Sequence, residues 1–332
     1  MKKLLCLVGI AGLILGALAV EETAAQTVTL RYAHMNAPSS IAGQQAAMLA
    51  KAIEDKTKGA VKVNVFPSSQ LGTLQEQAEA VSSGTVQLHH NTMAGIGSLY
   101  EPFGALDTPF MYKDVQHLMR VADPNSPVMK KLGEGLLKAR GVRVFSTFYF
   151  GTRQLTADRQ VLSPKDLQGV KIRAIPFPIY MAAVEGMGAV ATPVDWAEVP
   201  TALATKAVNG QENPVDTIFA NKLYETQSHL MLTSHIMGAE LVVVNDAAWQ
   251  KLSPALQGQL IEAANEVSKK ATQMTLDSDA SYTKQLADKG MKVIGPKDGL
   301  DIAAFRSRVQ ELVSKRFDAK FGEVYKEIRA IQ

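Results

Sequence analysis

The chain has 332 residues, with 35 lysines and arginines against 32 aspartates and glutamates, and its formal net charge is +3. Charges of both signs are interspersed, so nucleic-acid binding, which needs a clustered basic face, is not expected. The length favours two domains over one.

A positively charged start precedes an apolar run from Leu4 to Val20, and small residues follow it. This pattern is typical of a secretory signal peptide over residues 1–25, cut after Ala19 or Ala25. A single membrane anchor is the alternative. Cleavage would remove the only cysteine, Cys6, and would leave a periplasmic chain without disulfides. No later apolar run approaches the length of a membrane span, so we expect a mature protein that is not membrane-embedded.

Strand and helix patterns alternate along the first part of the mature chain. A T-x-x-E spacing at Thr73 and Glu76 predicts a capping box at the start of the second helix. The predicted order is strand 28–32, helix 41–58, strand 61–65, helix 73–84 and strand 85–90. This alternation predicts a mostly parallel sheet covered by helices.

A second α/β round follows. Asp195 and Glu198 repeat the capping-box spacing, and Ser163 followed by Pro164 is typical of a short helix start. The predicted helices are 114–122, 127–139, 163–168, 179–187, 195–207 and 217–226. The predicted strands are 142–148, 170–173, 189–193 and 229–234.

The last part opens with a strand-like run from Glu240 to Asn245. From Pro254 a helical pattern extends to about Lys289, roughly 50 Å at 1.5 Å per residue, and such a helix can bridge two lobes. The alternative is two helices broken near Asp277 to Asp279. A strand at 291–294 and two amphipathic helices at 302–317 and 324–331 complete the chain.

Catalytic and metal-binding motifs are missing from the sequence. His89 and His90 are adjacent on a predicted strand, so their side chains point to opposite faces and cannot easily share a metal. Ser98 is one position away from the G-x-S-x-G pattern, and the dinucleotide pattern that starts at Gly95 fails at Tyr100. We predict no catalytic residue, no metal and no cofactor.

Two arginines each end a β-prone run beside small residues. Arg173 follows Val170 and Ile172, and Arg153 follows the strand pattern of 142–148. From the pattern alone, a structural ion pair is the more common role for such an arginine. The alternative is a carboxylate anchor, because the guanidinium group can donate two parallel hydrogen bonds.

Six motifs occur in the order RYAHMN, FPSSQLG, YFGTRQLT, GVKIR, TPVDWAEVPTAL and GQENP. In this order and spacing, the chain resembles the C4-dicarboxylate-type substrate-binding proteins of tripartite ATP-independent periplasmic (TRAP) transporters over nearly all of its mature length. The resemblance implies a two-lobed α/β fold of the type II-like, Venus-flytrap kind, with hinge strands and a long helix that spans both lobes. Crossovers are expected near Phe150 and Gly238. One lobe would comprise residues 27–150 plus 239–278, and the other 151–238 plus 279–332.

The resemblance also implies ligand-binding residues. Arg173 corresponds to the arginine that holds the ligand carboxylate. The other residues that match the family's motifs are Arg153, Asn213, Asn36, Gln70 and Glu212. We also expect four apolar residues, each of which could equally belong to the core, to line the cavity: Met93, Phe148, Phe177 and Trp196.

Two departures from the sialic-acid branch of the family narrow the ligand. Pro176 stands where that branch has an asparagine, and the segment NTMAGIG stands where it has a glutamate and an arginine. Sialate is therefore not expected, and an organic acid of modest polarity, aliphatic or aromatic, fits better.

The expected function is capture of a small organic acid and its delivery to the small and large membrane subunits of a TRAP permease. The protein is expected to act as a monomer without a cofactor. A sensory protein that presents its ligand to a receptor, and a secreted enzyme that acts on small acids, are the alternatives.

Overall fold

Two long antiparallel strands, β4 (Val142–Ala157) and β8 (His229–Asn245), pair along most of their length and join the two halves of the molecule. The computed structural model describes residues 27–332, so the predicted signal peptide lies outside the described residues. The other strands are β1 (Val28–Ala33), β2 (Val61–Phe66), β3 (Leu88–Thr92), β5 (Lys171–Ala174), β6 (Val190–Pro193), β7 (Gly210–Pro214) and β9 (Lys292–Ile294).

Helices cover this sheet on both sides, and short 3₁₀ turns connect several of them. The helices are α1 (Ile41–Lys56), α2 (Leu74–Ser83), α3 (Met93–Ile96), α4 (Val115–Ala122), α5 (Pro127–Arg140), α6 (Pro178–Gly186), α7 (Val199–Ala204), α8 (Val215–Ala220), α9 (Asp246–Trp249), α10 (Pro254–Asp288) and α11 (Ile302–Ala330). None of the helices within residues 27–332 combines the length and the apolar character needed to cross a membrane.

The strand order is β2-β1-β3-β8-β4-β7-β5-β6, with β9 beside β8. Strands β1, β2 and β3 are parallel to one another, and so are β5, β6 and β7. Because β8 and β7 are antiparallel to their neighbours β3 and β4, the two parallel sets run toward each other. The result is a two-lobed α/β fold in which the carboxyl ends of both strand sets face the middle of the molecule.

The middle of β4 is irregular where it passes from one lobe to the other. Its pairing with β8 shifts register between Tyr149 and Gly151, and Gly238 lies opposite Gly151. Gly151 has φ of +125°, and a Cβ atom there would lie 2.7 Å from Pro214 Cβ. Only glycine adopts this conformation without strain, so the bulge depends on this residue.

Helix α10 is a single helix of 35 residues, so the alternative of a break near Asp277 is wrong. It packs on α1 in one lobe and on α8 in the other, as a helix that spans both lobes must. Its half beside α1 covers an apolar core that includes Leu49, Ile53 and Leu260. A larger core lies under α11 and α6 and extends through both lobes.

Several predicted element boundaries were wrong, among them the end of strand 142–148, which extends to Ala157. The two predicted C-terminal helices form one helix, α11, because a continuous apolar face that includes Phe317, Phe321 and Tyr325 carries it past Gly322. The two strand-like runs of 229–245 form one strand, β8. The Thr73–Glu76 capping box is confirmed, whereas Asp195 makes no side-chain cap and leads into a 3₁₀ turn.

Candidate functional site

The candidate site lies where the carboxyl ends of the two strand sets meet. Arg173 is near the end of β5, Asn213 near the end of β7, and Asn36 follows the end of β1. Arg153 is on β4 just past the bulge. Ligands of open α/β sheets bind outside the carboxyl ends of strands, so the topology places these residues where a ligand is expected.

Arg173 is a buried cation with free hydrogen-bond donors. Its side chain is almost completely buried, its Nε donates to the Val194 carbonyl at 2.9 Å, and its guanidinium carbon lies 5.6 Å from the ring centre of Trp196. Within the described residues, neither Nη1 nor Nη2 has a partner. Burial lowers the pKa of Arg173 to about 10, so the group remains charged at neutral pH. Two parallel donors on a buried cation suit a carboxylate.

Arg153 is held by an internal ion pair. Its Nε donates to Glu212 Oε2 at 2.5 Å and its Nη2 to Oε1 at 2.9 Å, and both side chains are fully buried. Burial opposes the charge of Glu212, but Arg153 and a hydrogen bond from His235 at 3.0 Å lower its pKa to about 2. The pair is therefore ionised and neutral overall. Only Nη1 of Arg153 lacks a partner in residues 27–332.

The two asparagines are also buried. The Asn213 amide donates to Gln211 Oε1 at 2.5 Å. Asn36 Oδ1 lies 2.7 Å from Nε2 of His90, and the Asn36 backbone N–H donates to Nδ1 of His34 at 3.2 Å. Asn36 thus belongs to a polar cluster of the first lobe, and Asn213 to the strand that carries Glu212.

The remaining sequence-predicted residues lie in different surroundings. Trp196 packs on Arg173, and Phe148 lies edge-on to His90 at 5.7 Å. Met93 is buried in the larger core. Phe177 lines a separate cavity of about 270 Å³ with Ala94 and Phe321. Gln70 is exposed, and the structure does not bring it to the buried arginines.

Sequence reasoning missed several buried polar residues of the site. Tyr180 lies 5.1 Å from the Arg153 guanidinium and donates to Asp107 Oδ2 at 3.0 Å. Glu240, on β8, is fully buried. The sequence did contain an indication for Glu240, because it directly precedes the apolar run LVVV of a predicted strand. A glutamate that is buried with such a run usually has a partner or a function.

Two large surface grooves lie away from the arginines. Grooves of about 550 and 470 Å³ are lined by residues of α10 together with the β4 and α5 regions, and neither contains a predicted ligand-binding residue. The unpaired buried charge of Arg173 is therefore a better indication of the ligand-binding site than the size of a groove. The arginine cluster is enclosed rather than open to the surface.

Comparison with protein families gives a match over most of the chain. A family described as bacterial extracellular solute-binding protein, family 7, matches residues 32–320. The sialic acid-binding periplasmic protein SiaP of Vibrio cholerae is 30% identical over 295 residues, which cover 89% of this chain and 90% of SiaP. The 2,3-diketo-L-gulonate-binding periplasmic protein YiaO of Escherichia coli is 30% identical over 269 residues, which cover 80% and 79%.

Solved structures show the same architecture. A TRAP periplasmic solute-binding protein from Bordetella bronchiseptica, with density assigned to pantoate, has a TM-score of 0.84 at 29% identity and covers 92% of this chain and all of that chain. One from Polaromonas bound to D-erythronate has a TM-score of 0.85 at 27% identity and covers 92% and 99%. The likeness spans both lobes.

Proposed function

The chain belongs to family 7 of the bacterial extracellular solute-binding proteins, and from that membership we propose that it captures a small organic acid between its lobes and delivers it to a TRAP-type permease. Of the two similar structures named above, one has density assigned to pantoate and the other is bound to D-erythronate, and both compounds are small organic acids. Its relatives SiaP and YiaO are periplasmic binding proteins, so we place this protein in the periplasm as well.

The observation that carries this proposal is the state of Arg173. A buried guanidinium group normally has its charge neutralised and its donors bonded, because an unpaired buried charge is costly. Arg173 has two free donors and no carboxylate bonded to it in the described chain. A ligand carboxylate would satisfy both.

The mechanism is closure around an anion. With the lobes apart, water solvates Arg173, and a carboxylate that binds it favours the closed arrangement by its differential affinity for the two states. Closure removes water and strengthens the ionic hydrogen bonds. The Arg153–Glu212 pair stays neutral throughout and positions the neighbouring groups.

Mass spectrometry of the small molecules released on denaturation tests the proposal. Protein purified without added ligand should release one organic acid in near-stoichiometric amount, chemically unchanged after prolonged incubation with the protein. A ligand without a carboxyl group would contradict the anchor, and turnover of the acid would favour the enzyme alternative.

Delivery needs its own test. Proteoliposomes that contain the TRAP permease subunits of the same organism should accumulate the acid only when this protein is added. Uptake that does not depend on the protein would contradict its role in delivery and would favour the sensory alternative.

A further inference from the structure

A second group of unpartnered atoms lies in the first lobe, across the β4 bulge from Arg153. Glu240 is on β8 opposite Phe148, and Arg153 is opposite Ile236 on the same strand pair. Both carboxylate oxygens of Glu240 are buried without a hydrogen-bond partner in the described residues. Buried carboxyl groups that serve only the fold are normally bonded, so this one needs an explanation.

An unpartnered donor, Nε2 of His34, lies on a ring that stacks against His90, a neighbour of Glu240. His90 Nε2 lies 3.9 Å from Glu240 Oε2, and the ring of His34 stacks on His90 at 4.6 Å. His34 Nδ1 accepts from the Asn36 backbone N–H, so the proton of the neutral ring is on Nε2. That Nε2 has no partner among the described residues.

Asp107 adds another free acceptor beside Arg153. Its Oδ2 accepts from the Ala94 backbone and from Tyr180, while its Oδ1 is buried and unpartnered within the described range. Burial raises the pKa of Asp107 to about 6 and that of Glu240 to about 8. Loss of hydration on burial is the main cause of both shifts, and the charge of Arg153 opposes them.

The charges of the whole cluster then favour one kind of ligand. Glu212 neutralises Arg153, so Arg173 is the cation that remains to be matched. One ligand carboxylate would neutralise it. A second ligand carboxylate at the other end would meet the carboxyl groups of Glu240 and Asp107 rather than a free cation, so its charge would be buried without a counter-ion.

We propose that Glu240 selects a hydroxylated monocarboxylate and disfavours a dicarboxylate. This inference rests on the proposed function: the ligand carboxylate binds Arg173, and a ligand hydroxyl near the far end donates to Glu240 and accepts from Nε2 of His34. A hydroxyl both donates and accepts, which these two groups require, whereas an ammonium group only donates. The buried polar groups also revise the expectation of an acid of modest polarity.

Titration calorimetry on ligand-free protein tests the inference with acids of three to six carbons. Each length is supplied as the plain monocarboxylate, as mono- and polyhydroxylated monocarboxylates, and as the dicarboxylate; at four carbons these are butyrate, 4-hydroxybutyrate, D-erythronate and succinate. The best hydroxylated acid should bind roughly tenfold or more tighter than the plain acid and the dicarboxylate of its length, because it satisfies buried groups that they leave unpaired.

Two variants locate the effect. Glu240→Ala should reduce the affinity for the hydroxylated acid to about that for the plain acid. Measured above pH 8, where the wild-type carboxyl group is ionised, Glu240→Gln should bring the affinity for the dicarboxylate closer to that for the hydroxylated acid. The exposed Glu225→Gln, which makes the same chemical change away from the site, should alter none of these affinities.

The outcomes separate this inference from the proposed function. A wild-type protein that binds a dicarboxylate or a plain acid as tightly as the hydroxylated acid overturns the selectivity of Glu240 but leaves the organic-acid function intact. No binding of any acid in the series overturns both. Because the wild-type comparison alone decides the selectivity, poor folding of a Glu240 variant does not prevent the test.

Discussion

At the residue scale, the two buried arginines differ in how their charges are neutralised. Glu212 bonds Arg153 in a two-pronged ion pair. Arg173 has only the Val194 carbonyl and the face of Trp196. Arg153 therefore contributes to the fold whether or not ligand is present, whereas Arg173 has no carboxylate bonded to it among the described residues.

Loss of Arg173 should abolish tight binding. We expect Arg173→Ala to cost about 3–5 kcal/mol of binding free energy, or roughly 10²–10³-fold or more in affinity, because the ligand carboxylate would be buried without a cation. Arg173→Lys should also bind poorly, because an ammonium group does not reproduce the planar pair of donors. Titration calorimetry with the acid identified by mass spectrometry measures both.

The exposed Lys171, two residues earlier on β5, supplies the control for this prediction. Lys171→Ala removes a positive charge from the same strand and should leave the affinity unchanged. An unchanged affinity in Arg173→Ala would rule out the anchor role.

Glu212 should matter for stability even without ligand. Replacing it by glutamine leaves Arg153 buried beside a neutral amide, and breaking a buried pair by removing one partner costs about 3–5 kcal/mol. Urea unfolding of the ligand-free protein measures the free energy of unfolding. Asp55→Asn disrupts the exposed pair with Lys51 and should hardly move the midpoint. Equal midpoints for the two variants would contradict a structural role for the Glu212 pair.

At the element scale, one contact joins the start of α1 to the start of α8 across the lobes. Asp216 Oδ2 accepts the backbone N–H of Ile41, the first residue of α1, at 3.0 Å. A carboxylate at a helix N-terminus is stabilised by the helix dipole and by the free N–H groups. If the two helices belong to different lobes, as the proposed division of the chain has it, we expect this bond to favour the closed arrangement.

Asp216→Ala should therefore weaken ligand binding without touching the ligand. The lost contact is expected to cost about 0.5–2 kcal/mol of closure, or roughly 2- to 30-fold in affinity. Thr73→Ala, which removes the N-cap of α2, should lower stability by about 1 kcal/mol and leave the affinity unchanged. If both variants bind like the wild type, Asp216 does not contribute to closure.

The elements also show which sequence patterns were reliable. The length of α10 was predicted because a continuous helical pattern followed a clear start at Ser253 and Pro254. The sequence predicted two strands where the structure has the single strand β8, because a polar segment, Ser234 and His235, separates its two apolar runs. In the structure His235 bonds Glu212, so a tertiary partner stabilises a residue that looked like the end of a strand.

At the scale of the whole molecule, folding collects carboxyl groups in a low-dielectric interior. Burial raises the pKa of Asp107, Asp216 and Asp279 to about 6 each. It raises the pKa of Glu240 to about 8, with Asp107 adding to the effect and Arg153 opposing it. At these four carboxyl groups the folded protein therefore holds protons that the unfolded chain releases.

The contribution of Glu240 to stability should consequently fall between pH 6.5 and 8. Glu240 has a folded pKa of about 8 against an ordinary value of 4.5, so its contribution is full below pH 4.5 and is lost as the pH rises to 8. Burial also lowers the pKa of His34, His89, His90 and His235, so these groups release protons on folding and their contribution to stability rises with pH in the same window. The loss from Glu240 is therefore measured as the stability of the wild type relative to Glu240→Gln, by urea unfolding at constant ionic strength, and is expected to be at most about 2 kcal/mol.

Glu240→Gln provides the control for the pH dependence, since the amide does not titrate. Its stability should rise between pH 6.5 and 8, because the buried histidines release protons on folding. The same dependence of the free energy of unfolding on pH in the wild type and in Glu240→Gln would contradict the raised pKa of Glu240 in the folded state.

The sequence by itself determined the alternation of strands and helices and the long α10. These features depend on hydrophobic periodicity, capping residues and motif order, which are properties of short stretches of sequence. They can therefore be recognised without a structure. The motif order also carried the resemblance to TRAP substrate-binding proteins, which the family match over residues 32–320 confirms.

Only the tertiary structure decided which charges neutralise one another. Arg153 and Arg173 end similar sequence patterns, yet Arg153 pairs with Glu212 on the neighbouring strand β7 while Arg173 has no such partner in the described chain. Glu240, Asp107 and His34 come from distant segments, and their unpaired atoms are apparent only after the two strand sets meet. Pairing depends on distances between strands, which sequence spacing does not encode.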